Sequence, residues 1–240
     1  MTHPVVVLAG GMGTRVTNFA NGLPKAMIPV AGQPFIDLKL AGLAEQGVER
    51  VFLLIGHGAD QVEEHVGTGN RYGLTVTCVR DGPQLLGTGG SIAAVLDLLP
   101  RVFWVTYGDT LLRVPMTEVE ASFEEREGLA VMCVLANRDR WETSNVSIVA
   151  GSVVAYDKRA RPGTHTHIDY GMLLFGDTAF GQHSNNEAFD LAEVIDRLVK
   201  KGALKAFEVK DRFYDIGTEE RYAETCRLVE RGELWSTPDE

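Results

Sequence analysis

Apolar and polar positions along this chain follow two periods. "VVVLA" (5–9), "VFLLI" (51–55) and "VFWVTY" (102–107) are short apolar runs rich in β-branched and aromatic residues. Strands buried on both faces read this way. "LTVTCV" (74–79) alternates instead, as a half-buried strand does. Between these runs, residues 34–47, 59–66 and 89–99 repeat their apolar positions at helical spacing. Strand and helix taking turns predict right-handed crossovers and a mostly parallel sheet covered on both faces. After "LAVMCVL" (129–135) the rhythm changes, and "NVSIV", "SVVAYD" and "HIDYGMLLF" are strand-like pieces joined by short turns at 150–151 and 161–163. An antiparallel or mixed segment forming a rim is expected there. A helix over 189–202, a strand near 204–209 and a final amphipathic helix over 218–230 complete the pattern. No repeat, low-complexity run or linker interrupts it, so residues 1–240 read as one α/β domain, a Rossmann-like three-layer sandwich.

Bulk properties narrow the function. At 240 residues the chain can bury a sizeable core, and 45% hydrophobic with 23% charged residues is an ordinary globular balance. The net charge of −10 argues against a nucleic-acid surface, which needs basic stripes. The apolar runs are far shorter than the roughly 20 residues of a membrane span, so no membrane partner is expected. "MTHP" at the N-terminus has no basic region or cleavage site, so no signal peptide is expected. Cys78, Cys133 and Cys226 lie far apart with no CxxC pair. Reduced thiols and a cytoplasmic location fit that usage.

Ligands of parallel sheets collect beyond the carboxyl ends of the strands. Two strand ends here carry suitable residues. The first runs from Leu8 and Ala9 into Gly10, Gly11, Gly13, Thr14 and Arg15; the other reaches Gly108 and Asp109. Glycines let backbone N–H groups approach phosphate oxygens with no Cβ in the way. "GGMGTRV" is not a Walker loop, because no G-K-[ST] follows, and it lacks the third glycine of a dinucleotide fingerprint. A glycine turn alone most often only turns the chain. Arg15 adds a guanidinium able to hold two phosphate oxygens at once. Pro24 stiffens the approach to Lys25, which can reach back toward the strand end as a point charge. Read singly, Arg15 and Lys25 are surface cations and Asp109 is a strand-end cap.

Together these residues carry a resemblance. "LAGGMGTR" followed by "LPKAMIPVAGQP" resembles the sugar-1-phosphate nucleotidylyltransferases, whose signature is a G-G-x-G-T-R loop, then P-K-P-[ML] and G-[KQ]-P opening a helix. Ala26 replaces the family's second proline. "LLGTGGSI" (85–92), "YGDT" (107–110), "VVAYDK" (153–158), "HIDYGMLLF" (167–175) and "FYDIGTEERY" (213–222) continue the likeness in the family's order over nearly the whole chain. The resemblance implies the nucleotide-diphospho-sugar transferase fold, with a nucleotide-binding half at 1–135 and a sugar-phosphate-binding half with the C-terminal helix at 136–240.

It also implies a reaction. A sugar-1-phosphate oxygen attacks the α-phosphorus of a nucleoside triphosphate in line, and pyrophosphate leaves. Bringing two polyanions together calls for charge neutralisation and alignment. On the family's pattern, Gly11, Gly13, Thr14 and Arg15 hold the β- and γ-phosphates, while Lys25 meets the α-phosphate where charge builds. Asp109 and Asp215 match the carboxylates that hold Mg²⁺, a hard ion suited to oxygen ligands; Asp215 on its own reads equally as a cap of the last helix. Gly87 and Thr88, with the glycines of 87–90 expected before a helix at 91–99, border the nucleobase. Gln84 is a candidate for a base edge and equally a solvent-facing loop residue. Lys158 matches a lysine that contacts the sugar phosphate. Asp169 stands where the family has a sugar-binding asparagine, and Asn145 falls near a position often held by glycine; both departures suggest a differently shaped sugar pocket. His165 and His167 would share a face of a strand, but no third ligand is evident for zinc, and His57 reads as a turn residue.

The compact length and "LGTGG" lean toward enzymes pairing GTP with heptose-1-phosphate, or UTP with N-acetylmuramate-1-phosphate. No room is expected for the β-helix domain of some relatives, and a homodimer is compatible. CTP with a phosphocholine-like alcohol phosphate uses the same scaffold. A catalytically silent nucleotide-sugar sensor is the non-enzyme alternative, against which the retention of Arg15, Lys25, Asp109, Lys158 and Asp215 weighs. A metal-dependent glycosyltransferase is disfavoured because no D-x-D triplet follows the strand at 102–107.

Overall fold

The structure is a computed structural model that describes residues 2–11, 22–82, 85–123, 130–181 and 187–234. β1 (Val5–Leu8) is followed by a 3-10 turn at Lys25–Met27 and a short pair of strands, β2 (Pro29–Val30) and β3 (Gln33–Pro34). Helix α1 (Phe35–Glu45) leaves Pro34, whose extended backbone marks the boundary. β4 (Arg50–Ile55), α2 (Ala59–Val66) and β5 (Thr75–Arg80) come next. α3 (Gly87–Ala93), β6 (Val102–Tyr107), β7 (Thr110–Leu111) and α4 (Met116–Ser122) bring the chain to β8 (Ala130–Ala136). β9 (Val146–Val149), β10 (Ser152–Tyr156) and β11 (His167–Gly176) precede α5 (Leu191–Lys200), β12 (Leu204–Val209), β13 (Tyr214–Asp215) and α6 (Glu219–Arg231).

Among the described residues, nine strands form one sheet in the order β5-β4-β1-β6-β11-β8-β12-β10-β9. β1 is parallel to both β4 and β6, and β8 to β12. β11 runs antiparallel between β6 and β8. The segment expected to form a rim therefore supplies a central strand. "YGMLLF" is buried throughout, and an unbroken apolar run is what a strand covered on both faces requires.

Alternate residues of each strand feed opposite layers. Val5, Val7, Leu53 and Trp104 pack with Ile36 and Leu40 of α1, Val62 of α2 and Val119 of α4. Val6, Phe103, Val105 and Phe175 pack with Ile92 of α3 and Val194, Ile195 and Leu198 of α5. A smaller cluster of Ile28, Phe35, Leu111, Tyr214 and Ile216 receives α6. This is the three-layer sandwich the pattern predicted. Among the described residues no helix is long and apolar enough to cross a membrane.

Helix ends follow their caps. α5 starts at Asp190, which accepts from the Ala192 amide and forms a capping box with Glu193. Thr218 accepts from the Arg221 amide at the start of α6, and Gly232 ends it in the left-handed conformation. The helix expected over 89–99 is shorter and begins earlier, at Gly87; a 3-10 turn at Leu96–Leu98 follows it. α4 carries too little periodic sequence to announce itself.

Candidate active site

Four strand ends meet at one place. The Ala9 amide donates to the Leu54 carbonyl at 2.8 Å, the Gly108 amide to Leu8 at 2.9 Å and the Asp81 amide to Ile55 at 2.7 Å. β1 has β4 on one side and β6 on the other, so the strand order reverses here, the usual crevice for a ligand in such sheets. Gly108 must be glycine, because a Cβ would lie 2.9 Å from the Leu8 carbonyl oxygen. A cavity of about 460 Å³ opens above these ends. Leu8, Ala9, Gly10 and Gly11 form one wall, Gly87 and Thr88 another, and Lys25 and Asp109 stand at its charged end.

Lys25 Nζ donates to Asp109 Oδ2 at 2.5 Å, so the lysine carried by the 3-10 turn faces the cleft that holds the aspartate. Burial pushes the Asp109 carboxyl up, but the Lys25 ammonium, the Thr110 hydroxyl and the field of Lys39 outweigh it, and the net direction is downward. Asp109 is thus an anion at neutral pH. Lys39 enters from α1. It is 3% exposed, and its ammonium donates to the Thr106 hydroxyl at 3.0 Å and the Thr110 carbonyl at 2.8 Å, bridging the turn that presents Asp109. Burial lowers its pKa to about 7, against the opposing pull of Asp109.

The glycines at 87–90 have a packing reason. A Cβ on Gly87 would come within 2.6 Å of the Phe189 carbonyl oxygen, and one on Gly89 would strike the Phe189 ring. The amides of Gly89 and Gly90 both donate to that carbonyl, at 3.1 and 3.2 Å. Gly87 and Thr88 line the cavity, whereas Gly89 and Gly90 dock the start of α3 against the chain before α5. The Thr88 hydroxyl accepts from the Leu191 amide at 2.9 Å. Lys158 meets this group from β10's end, donating to Asp190 Oδ1 at 2.6 Å.

Asn145 and Asp169 come together: the Asn145 side-chain oxygen accepts from the Asp169 amide at 2.9 Å. Burial raises the Asp169 carboxyl to about 6, opposed by the Gly171 amide and by Lys158. Desolvation, with Asp169, Asp190 and Asp109 nearby, pushes the pKa of the half-buried Tyr107 phenol in the cavity lining upward. Asn145, Lys158 and Asp169 lie beyond the cavity's lining. Asp215 pairs in register with Thr110 across β13 and β7, next to Asp109. Its two oxygens are engaged, Oδ1 by the Gly217 amide at 2.7 Å and Oδ2 by Arg221 at 2.8 Å. His165 bonds Ser147 and His167 faces Glu208, so the two imidazoles have separate partners.

A cleft at the switch point of a mixed sheet, floored by glycines and carrying a lysine–aspartate pair, is built for a phosphorylated ligand. The sequence matches the nucleotidyl transferase family over residues 4–232. The chain belongs to that family. This nucleotidyltransferase is 26% identical over 224 residues to the D-glycero-alpha-D-manno-heptose 1-phosphate guanylyltransferase of Campylobacter jejuni, covering 90% of this chain and 96% of that protein. A protein of the same description from Aneurinibacillus thermoaerophilus is 28% identical over 229 residues, covering 90% of this chain and 94% of its own length. The crystal structure of HddC from Yersinia pseudotuberculosis superposes with a TM-score of 0.80 at 26% identity, covering 95% of this chain and 99% of that one. HddC complexed with GMP-PN gives 0.79. The nucleotide-diphospho-sugar transferase fold expected from the motifs is the fold of this enzyme.

Gly13, Thr14, Arg15 and Gln84, expected on phosphates and base, lie outside the described residues. Sequence reading overlooked Asp81, Ser91 and Tyr107 in the cavity of the nucleotidyltransferase, and Lys39 behind it. Asp81 follows a strand, as Asp109 does, and the strand-end rule applied to every strand finds it. Lys39 occupies the apolar stripe of α1, three residues after Ile36; a lysine in that register is the signal of a buried cation with partners.

Proposed function

We propose that this nucleotidyltransferase joins GTP and a heptose-type sugar-1-phosphate, releasing pyrophosphate and the GDP-sugar. The observation that carries the reading is the Lys25–Asp109 pair in the lining of the glycine-floored cavity. Names of the relatives, both heptose-1-phosphate guanylyltransferases, and the GMP-PN complex of HddC support the choice of base and sugar.

In this reading the sugar-phosphate oxygen attacks the α-phosphorus in line, and the chain supplies alignment and charge. Lys25 leaves Asp109 to meet the α-phosphate oxygens as negative charge grows on them. Backbone amides of Gly11, Gly13 and Thr14, with Arg15, hold the β- and γ-phosphates and take up charge on the leaving pyrophosphate. Gly87 and Thr88, with Gln84, border the base. Lys158 turns from Asp190 to the sugar phosphate, while Asn145 and Asp169 face sugar hydroxyls.

A divalent cation fits the acidic residues present. Asp109 offers a hard oxygen that is ionised at neutral pH, with 34% of its side chain exposed at the cavity. Asp215, adjoining it through Thr110, is held in place by Arg221 and the Gly217 amide. Mg²⁺ held by Asp109 and Asp215 would neutralise charge on the α-phosphate and the incoming sugar phosphate.

The test is pyrophosphate release with Mg²⁺ across the four common NTPs, each offered heptose-, hexose- and N-acetylmuramate-1-phosphates and phosphocholine. GTP with heptose-1-phosphate is expected to give the highest kcat/KM. Turnover led by UTP with a hexose-type substrate, or by CTP with phosphocholine, overturns the substrate assignment. Silence across the panel overturns the enzymatic reading in favour of a nucleotide-sugar sensor.

A further inference from the structure

Lys39 is a buried cation that the reaction described above does not employ. It shares the apolar stripe of α1 with Ile36, Leu40 and Leu43, all of them buried. Hiding an ammonium costs stability unless it is matched, and an apolar side chain of similar length would avoid that cost. Here the match is the turn that carries Asp109. Nζ donates to the Thr106 hydroxyl in β6 at 3.0 Å and to the Thr110 carbonyl in β7 at 2.8 Å, so one ammonium ties both ends of that turn. Thr110 passes the restraint on in two directions. Its hydroxyl donates to Asp109 Oδ1 at 3.0 Å, and its backbone pairs with Asp215 across β7 and β13. Lys25 and Lys39 both act on the Asp109 carboxylate, but with different freedom. Lys25 lines the nucleotide cavity and, in the proposed reaction, leaves Asp109 for the α-phosphate. Lys39 is enclosed between α1 and the sheet and stays.

We propose that Lys39 is a positioning residue for nucleotidyl transfer, its hydrogen bonds to Thr106 and Thr110 holding the Asp109 carboxylate in place when Lys25 departs. Displacing a reacting group by about 1 Å can cost about 10²-fold in rate. Substrate binding is expected to change far less, because Gly10, Gly11, Gly87 and Thr88 line the cavity from other elements. A second cavity of about 470 Å³ lies between α1 and the end of α6, lined by Leu38, Gln46, Leu112 and Val229 among others. Lys39 is part of that lining. Cut back to alanine, the position is therefore open to a small amine entering from the second cavity, away from the nucleotide.

The experiment measures kcat and both KM values, with the best substrates of the NTP and sugar-phosphate panel, in the wild type, Lys39→Met and Lys39→Ala. Methionine keeps the apolar stem and donates no hydrogen bond. Lys39→Met is expected to lower kcat about 10–100-fold while each KM stays within about threefold. Lys39→Ala should lose as much and regain about 10-fold in n-propylamine, which restores the atoms removed beyond Cβ. 1-Propanol fills the same space with a single donor and should restore far less. Propylamine should also raise the urea midpoint of Lys39→Ala in a saturable way, a readout independent of turnover. Thr106→Val, nearly isosteric, removes one of the two acceptors and keeps the question answerable if the variants at 39 fail to fold. Its kcat should fall about 3–10-fold with KM unchanged. Wild-type kcat in Lys39→Met or Thr106→Val overturns the inference, as does rescue of Lys39→Ala by propanol equal to that by propylamine. The inference rests on the reading of Asp109 as a group of the reacting site, and the two fail differently. Asp109→Asn turning over at the wild-type rate overturns both. An inactive Asp109→Asn beside an unimpaired Lys39→Met overturns the role of Lys39 alone.

Discussion

Lys25 and Asp109 show what a single pair of side chains contributes. The 2.5 Å contact stores each charge beside its opposite, and incoming phosphate oxygens compete with Asp109 for the ammonium. An interaction that strengthens as charge builds on the α-phosphate lowers the barrier more than it tightens ground-state binding. Lys25→Ala is expected to lower kcat by about 10²–10³-fold and to raise the nucleotide KM far less. Steady-state kinetics over a range of GTP concentrations separates the two; a large rise in KM with kcat intact would make Lys25 an affinity residue only. Both partners were legible in the sequence, Asp109 because it follows the end of a buried strand and Lys25 through the motif that carries the family resemblance. Asp81 was not, since "RDGPQ" carries no motif and its meaning comes from Gly10, Gly56 and Ser91, distant in sequence and adjacent in space. Lys158 reads from sequence as a candidate sugar-phosphate cation only through the family resemblance, and its pairing with Asp190 depends on a helix cap that spacing does not reveal.

At the scale of elements, the join of α3 to the chain before α5 is the most exacting contact near the site. Gly89 touches the Phe189 ring so closely that a methyl group has no space, and both elements then have to move apart. Gly89→Ala is expected to cost about 1–3 kcal/mol from overpacking, despite alanine's better helix propensity. Urea titration reads the loss, and Gly89→Ala combined with Phe189→Ala should cost less than the sum of the two single changes, as residues in contact do. Strict additivity would mean that the ring yields without strain. Those glycines read from sequence as a backbone approach to a base; only the fold reveals that Gly87, Gly89 and Gly90 all serve packing. Strand and helix order was legible almost throughout, because apolar period is a local property. The place of β11 in the middle of the sheet was not, since "GMLLF" specifies burial on both faces and says nothing of which strands flank it. The early break of α3 before Leu96 was equally hidden, for apolar spacing continues through a helix and a 3-10 turn alike.

Across the whole molecule, Lys39 couples the active-site turn to the stability of the fold. Its ammonium sits between α1 and the sheet, bonded to Thr106 in β6 and to the Thr110 carbonyl in β7. Burial depresses its pKa to about 7 from the ordinary 10.5. Between those two values the unfolded chain keeps a proton that the folded chain sheds, so unfolding takes up a proton and stability rises with pH. Below about 7 both states are protonated and the cost of burying the charge is carried in full. Raising the pH from about 7 to about 9.5 should therefore add about 3 kcal/mol through this group. Other groups titrate over the same range, and the net charge of −10 grows more negative, so the readout is a difference. Lys39→Met keeps the length and apolar stem of the side chain without the titration, and its stability relative to the wild type should fall by about that amount across the window. Unfolding midpoints in urea at several pH values measure it, the absolute order at neutral pH being set also by the two hydrogen bonds the variant loses. A gap that stays constant with pH would mean that Lys39 remains charged throughout, its ammonium held by the Thr106 and Thr110 oxygens and by Asp109. Asp109→Asn distinguishes these cases from the other side: without the anion that holds the ammonium up, the onset of the slope should move to lower pH.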